Sequence, residues 1–124
     1  MNQRAKTDSQ KGTVPSEHAE QVAFVSWFRK TYGSVRILSV PNGGQRNKVV
    51  AMKLKQEGVS KGVPDLFIPE WRLWVEMKRQ KGGTLSPEQK DWRDYLIGCG
   101  YRWILAKGAD DAINQVAEII KPSK

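Results

Sequence analysis

Two short apolar runs set the folding problem for this chain. Val63-Pro64-Asp65-Leu66-Phe67-Ile68 and Leu73-Trp74-Val75-Glu76-Met77-Lys78 are rich in branched and aromatic residues, and Pro69-Glu70-Trp71-Arg72 between them reads as a hairpin connection. The pattern predicts two adjacent antiparallel strands, each carrying an acid, with ten residues between Asp65 and Glu76. Side chains alternate along a strand, so Glu76 and Lys78 share one face while Met77 takes the other. Cross-strand neighbours lie close enough for Asp65 to join them.

Carboxylates held a few ångströms apart repel one another, and a hard divalent cation with oxygen ligands relieves that repulsion. Mg²⁺ suits such a pair. A cation there polarises a phosphate oxygen, and an ammonium such as that of Lys78 neutralises charge developing on phosphorus. Taken alone, the same spacing also describes a turn followed by a charged, solvent-facing edge strand.

With 124 residues the chain is expected to form one domain that buries roughly two-thirds of its unfolded surface. Its formal net charge of +8 and isoelectric point near 9.8 point to a polyanionic partner, because lysine and arginine gain affinity by displacing counterions from phosphates. Charge alone suits a ribosome-associated protein or a small regulator equally well. The single cysteine, Cys99, excludes an internal disulfide partner and is expected to pack on the apolar side of a helix. Without a signal peptide or a long apolar run, the expectation is a cytoplasmic protein with no membrane association. His18 is the lone histidine, and neither a zinc spacing nor a nucleophile triad can be assembled.

Periodicity divides the chain into a flexible basic arm over residues 1–14 and one α/β domain over residues 15–124. Arg4, Lys6 and Lys11 of the arm are placed to touch nucleic acid. A first helix is expected from Ser16 to Gly33, with Val22, Phe24, Val25, Trp27 and Phe28 as its apolar side. Ser34 to Val40 reads as a strand, Pro41-Asn42-Gly43-Gly44 as a turn, and Asn47 to Glu57 as a basic helix closed by Gly58.

After the second acidic strand, Lys81-Gly82-Gly83 reads as a mobile connector. Ser86-Pro87-Glu88-Gln89 then carries a capping-box signature, with an N-cap serine, proline at the first helical position and glutamine at the third. Trp92, Tyr95, Leu96 and Cys99 follow at the spacing of a core-facing stripe. Tyr101 to Ala106 is the last strand, and Asp110 to Ile120 a last helix that buries Ile113, Val116, Ala117 and Ile120. Trp71 and Trp74 flank the hairpin, either as core residues or, if exposed, as a base-stacking or dimer face.

Pro64-Asp65, Glu76-Met77-Lys78 and Ser86-Pro87-Glu88-Gln89, in this element order, resemble the PD-(D/E)xK nuclease superfamily. The implied fold is a restriction-endonuclease-like αβββαβ core, an α/β arrangement with a mixed central sheet flanked by helices. Within that superfamily the chain is most similar to the VRR-NUC family. Four stretches carry the similarity: Glu17-His18-Ala19-Glu20-Gln21, Pro41-Asn42-Gly43-Gly44-Gln45-Arg46, Gly58-Val59-Ser60-Lys61-Gly62-Val63-Pro64-Asp65-Leu66, and Glu76-Met77-Lys78-Arg79 running into Leu85-Ser86-Pro87-Glu88-Gln89.

The resemblance implies a Mg²⁺- or Mn²⁺-dependent endonuclease that hydrolyses DNA and leaves a 5′-phosphate. By the same resemblance Asp65 and Glu76 ligate the metal, the backbone carbonyl of Met77 adds a ligand, and Lys78 acts on the attacking water. A first-helix glutamate completes the acidic cluster. Glu17 and Glu20 both qualify; Glu17 fits better, because Gln21 follows it in a Glu-x-x-x-Gln pattern, and either acid also suits a helix N-terminus. The family places a glutamine of the next helix in its active site, so Gln89 is a catalytic candidate as well as a cap.

Asn42, Gly43, Gly44 and Arg46, together with Lys61, Arg79 and Lys81, are expected to contact DNA, the glycines letting backbone approach phosphate closely. Similarity to stand-alone members implies a homodimer that cuts branched DNA such as four-way (Holliday) junctions in repair or recombination. A flap- or nick-directed nuclease and a non-catalytic basic DNA-binding module on the same fold are the competing readings.

Overall fold

A computed structural model describes residues 13–41 and 47–121, and its elements follow the expected order. Helix α1 spans Glu17–Thr31, strand β1 Leu38–Ser39, helix α2 Lys48–Gln56 and strand β2 Leu66–Ile68. Strand β3 spans Leu73–Lys78, helix α3 Pro87–Gly98, strand β4 Arg102–Lys107 and helix α4 Ala109–Ile119. Between β2 and β3 the chain makes a short 3-10 turn over Pro69–Trp71, closed by Arg72 in the left-handed region at φ 50°.

The strands form one mixed sheet in the order β1-β2-β3-β4. β2 pairs antiparallel with both β1 and β3, whereas β4 lies parallel to β3 and is reached through α3. Leu66 stands opposite Val75 and Phe67 opposite Trp74, so one further step along that ladder sets Asp65 opposite Glu76.

Alternation sends Leu73, Val75 and Met77 to one face of the sheet, where they are buried with Leu66, Ile68, Phe24, Phe28, Ala112 and Val116. Phe24 and Phe28 are one helical turn apart and fully buried, each contributing about 1.5–3 kcal/mol of transfer free energy. α1 and α4 supply this layer. Trp71 joins it, meeting Phe28 and Tyr32 edge-on at centroid distances of 5.5 and 5.1 Å. Trp74 stacks on Phe67 at 4.2 Å and meets Tyr101 at 6.3 Å. Both hairpin tryptophans are thus packed against neighbouring rings.

Several expectations are corrected. The first strand is only Leu38–Ser39, at the sheet edge, and the Val40 N–H to the Asp65 carbonyl at 2.8 Å carries its pairing with the β2 side one residue further. Val22 is 53% exposed, since α1 buries the line Glu20, Phe24, Phe28. In α3 only Leu96 is buried; Tyr95 is 62% exposed and Cys99 is exposed at the C-cap. A helix that meets the sheet chiefly along β4 covers a narrow stripe, which leaves the rest of the expected face in solvent. There the Tyr95 hydroxyl bonds the Cys99 thiol, which pushes the Tyr95 pKa up. In α4 the buried residues are Ala109, Ala112 and Val116, and Ala117 is exposed.

Gly62, at φ 93°, brings the loop before β2 against α3; a Cβ there would stand 2.6 Å from the Glu88 backbone carbon. That contact sets Asp65 and Gln89 on a shared frame. The basic arm residues Arg4, Lys6 and Lys11 and the turn residues Asn42, Gly43, Gly44 and Arg46 lie outside the described residues. Among the described residues no helix is long and apolar enough to cross a membrane.

Candidate active site

The two acids meet where the hairpin ladder ends. Asp65 Oδ2 accepts the Met77 backbone N–H at 2.8 Å, which pins its carboxylate to the neighbouring strand. Glu76 is 1% exposed, and its Oε2 accepts from Gln89 Nε2 at 3.2 Å. Burial, then the charge of Asp65 and a hydrogen bond with it, raise the Glu76 pKa from 4.5 to about 9; Lys78 pulls it down and Glu17 adds a further push upward. At neutral pH Glu76 therefore holds a proton within reach of Asp65. Once ionised, both groups only accept, and the buried Glu76 Oε1 has no hydrogen-bond partner among the described residues.

Gln89 forms the capping box and also touches Glu76. Its backbone N–H reaches Ser86 Oγ at 3.1 Å and its Oε1 accepts the Ser86 N–H at 2.9 Å, completing the capping box. Holding Oε1 at the helix start leaves Nε2 aimed at Glu76. The cap thus orients the contact with the acid.

The two first-helix glutamates separate clearly. Glu17 has a pKa raised by partial burial and by Asp65, and lowered by Lys78, so it sits within electrostatic reach of the site. Glu20 is 5% exposed and is engaged elsewhere: Oε1 accepts the Ala109 N–H at 2.8 Å and Oε2 accepts Gln80 Nε2 at 2.7 Å. It caps the start of α4 and ties α1 to the chain leaving β3. Replacing Glu20 by Ala strands the buried Ala109 N–H and frees the Gln80 amide to solvent, and is expected to lower unfolding stability by about 1–3 kcal/mol, with Gln recovering part of the loss. Chemical denaturation checks this; an unchanged midpoint for Glu20→Ala would contradict the clamp.

Lys78 is buried, with its carbonyl accepting the Gly108 N–H at 2.9 Å. Its stem lies along Gly83, where a Cβ would come within 2.9 Å of the Lys78 Cβ. Gly83 therefore packs against Lys78 where Lys81-Gly82-Gly83 is expected to be a mobile connector, and the glycine pair is the one sequence signal of that close approach. Lys61 is exposed and stands 4.0 Å from Glu88. Arg79 is exposed, with Nη2 donating to the Val14 carbonyl at 3.4 Å, and Lys81 is exposed.

Among the described residues no three His, Cys, Asp or Glu side chains cluster tightly enough to hold a metal ion unaided. Two carboxylates with one unsatisfied buried oxygen still fit Mg²⁺ or Mn²⁺, since Mg²⁺ typically takes one or two carboxylates and fills its shell with water and substrate phosphate.

A mixed four-stranded sheet flanked by helices, with opposed acids on neighbouring strands beside a buried lysine, defines a nuclease-type α/β domain. A family model described as the VRR-NUC domain matches residues 11–110, and the chain belongs to the VRR-NUC family. A solved structure titled "VRR_NUC domain protein" is similar over 88% of this chain and 91% of that one, with 28% identity and a TM-score of 0.75. No curated protein matches the chain.

Proposed function

We propose that this chain is a divalent-metal-dependent endonuclease that hydrolyses DNA phosphodiesters, with Asp65, Glu76, Lys78, Glu17 and Gln89 forming its site. The observation that carries this reading is the Glu76 carboxyl, 1% exposed and opposite Asp65 across the hairpin, with Gln89 on one oxygen and no protein donor on the other. A carboxyl kept in that condition is poised to lose its proton to a cation.

Asp65, Glu76 and the Met77 carbonyl would hold Mg²⁺ or Mn²⁺, and Glu17, which forms no three-acid cluster with the other two as it stands, would have to swing in to complete the protein's share. When bound, such an ion supplies Lewis acidity toward a phosphoryl oxygen and a lowered pKa for water. The chain's own groups do the rest. Lys78 presents an ammonium beside the acids, where it orients the attacking water and neutralises charge accumulating on phosphorus. Gln89 fixes Glu76 through its amide. Water oxygen bonds to phosphorus as the bond to the 3′-oxygen breaks, leaving a 3′-hydroxyl and a 5′-phosphate. Lys61, Arg79, Lys81 and the segment Asn42, Gly43, Gly44 and Arg46 would contact the phosphate backbone.

The finer reading is a homodimer acting on branched DNA such as a four-way junction in repair or recombination, inside the cell where such DNA occurs. A two-fold axis sets two sites on opposing strands, as symmetric cleavage of a junction needs. The test is a panel of labelled four-way junction, flap, nicked and intact duplex DNA, with sedimentation of the protein alone. Junction cleavage by a dimer is expected, with affinity that falls about a hundredfold or more between 50 and 200 mM salt. Binding that is insensitive to salt, or a monomer that cuts all four alike, would overturn it.

A further inference from the structure

The last rung of the β3–β4 ladder pairs Lys78 with Lys107, and the chain just beyond it is held by a side chain that the proposed chemistry does not use. Gln80 folds back over the junction of β4 and α4: its Cγ lies against Gly108, where a Cβ would stand 2.8 Å from it, and its Nε2 donates to Glu20 Oε2 at 2.7 Å. Gly108, at φ 98°, donates its N–H to the Lys78 carbonyl at 2.9 Å, and the Ala109 N–H reaches the other Glu20 oxygen at 2.8 Å. Glu20 follows Glu17 on α1, whose fully buried anchors Phe24 and Phe28 lie one and two turns further along. Toward its start, α1 is tied to the end of β3 through the bonds of Glu20.

We propose that Gln80 is a positioning residue of the cleavage site: bonded to Glu20, it holds the end of β3 and the first turn of α1 at a fixed spacing, so that Lys78 and Glu17 reach toward Asp65 and Glu76 from set backbone positions. This rests on the nuclease reading and deepens it. Lys78 stands just before Gln80 in the chain and Glu17 one turn before Glu20, so the bond joins the two segments that carry them. Glu17 lies within electrostatic reach of both Asp65 and Lys78, and a change in that spacing is felt by all three. Swinging the Glu17 side chain toward a cation needs a helix start that does not move with it. A reacting group displaced by about 1 Å can cost about a hundredfold in rate, so one bond between two such segments weighs more on rate than on folding. Because Gln80 is exposed, water can replace its amide at Glu20, which leaves the fold intact and the two segments no longer joined directly.

The test is single-turnover cleavage of junction and flap DNA in Mg²⁺, beside DNA binding in EDTA and amide hydrogen exchange at Gly108, for wild type, Gln80→Leu, Gln80→Glu and the swap Glu20→Gln/Gln80→Glu. Leucine keeps the packing on Gly108 and removes the donor. Gln80→Leu is expected to cut about tenfold more slowly, with the Kd for DNA within about twofold and exchange at Gly108 about tenfold faster. Gln80→Glu sets two carboxylates against each other and should lose at least as much rate. The swap exchanges donor and acceptor across the same bond, and should return both the rate and the Gly108 exchange to within about threefold of wild type. Thermal melts set a temperature at which every variant is folded. Cleavage by Gln80→Leu within about twofold of wild type, unchanged exchange at Gly108, or a swap as slow as Gln80→Glu would overturn the proposal. So would a loss of DNA affinity equal to the loss of rate, which would make Gln80 a DNA contact, or rates that follow melting temperature across the set, which would leave the bond purely structural. Wild type that cuts neither DNA sinks the nuclease reading and this proposal with it, whereas active wild type beside an undiminished Gln80→Leu sinks this proposal alone.

Discussion

Lys78→Met is expected to lower kcat for DNA cleavage about a thousandfold while leaving the Kd for DNA within about twofold. Methionine keeps an unbranched stem for the narrow space along Gly83, so the loss isolates the ammonium from its packing. The lysine is buried, close enough to Glu76 to pull its pKa down, and away from the exposed surface that would meet most of the phosphate backbone. Its contribution should therefore appear in the chemical step and not in affinity. Single-turnover cleavage beside a binding titration separates the two. A kcat within tenfold of wild type would remove Lys78 from the chemistry, and a parallel loss of affinity would make it a DNA contact.

Glu76→Gln should make the metal-free protein more stable at pH 8 while abolishing cleavage. The sign follows from the direction of the shift. Folding raises the Glu76 pKa from 4.5 to about 9, so between those values the native state holds a proton that the unfolded chain has released. Stability of the metal-free protein therefore falls as pH rises from about 4.5 through about 9, and Glu17, shifted in the same direction, adds to that slope. Glutamine keeps the shape and the contact to Gln89 but has no proton to lose. Melting curves from pH 5 to pH 9 in EDTA should slope downward for wild type and be flatter for the variant. Metal binding runs the other way: apparent Mg²⁺ affinity of wild type should rise by up to about tenfold per pH unit below 9, with proton release on binding. Parallel melting curves for the two proteins would contradict a buried, protonated Glu76.

What the sequence made legible was local or periodic. The hairpin runs fixed the register that sets Asp65 opposite Glu76, because strand alternation and a four-residue connection leave little freedom. The capping box at Ser86 was equally plain, since its donors and acceptors are three residues apart. What stayed hidden depends on distant partners. Glu20 is bound to Gln80 and Ala109, 60 and 89 residues away, and no local pattern announces those bonds. Val22, Tyr95 and Cys99 satisfied helical spacing yet face solvent, because how much of a helix is covered depends on the layer above it. Gly83 read as a loose connector because its close approach to Lys78 exists only in the folded chain.

The measurement that bears most directly on the proposed chemistry is single-turnover cleavage of end-labelled flap and junction DNA, with Mg²⁺ and with EDTA. Wild type, Asp65→Asn and Glu76→Gln are compared. Cutting by wild type in Mg²⁺ alone, leaving 5′-phosphate ends, with both variants slowed about a thousandfold or more yet still binding DNA, is the predicted result. Undiminished cutting in EDTA, or by either variant, would contradict it, as would wild type that binds these DNAs in Mg²⁺ and cuts none of them.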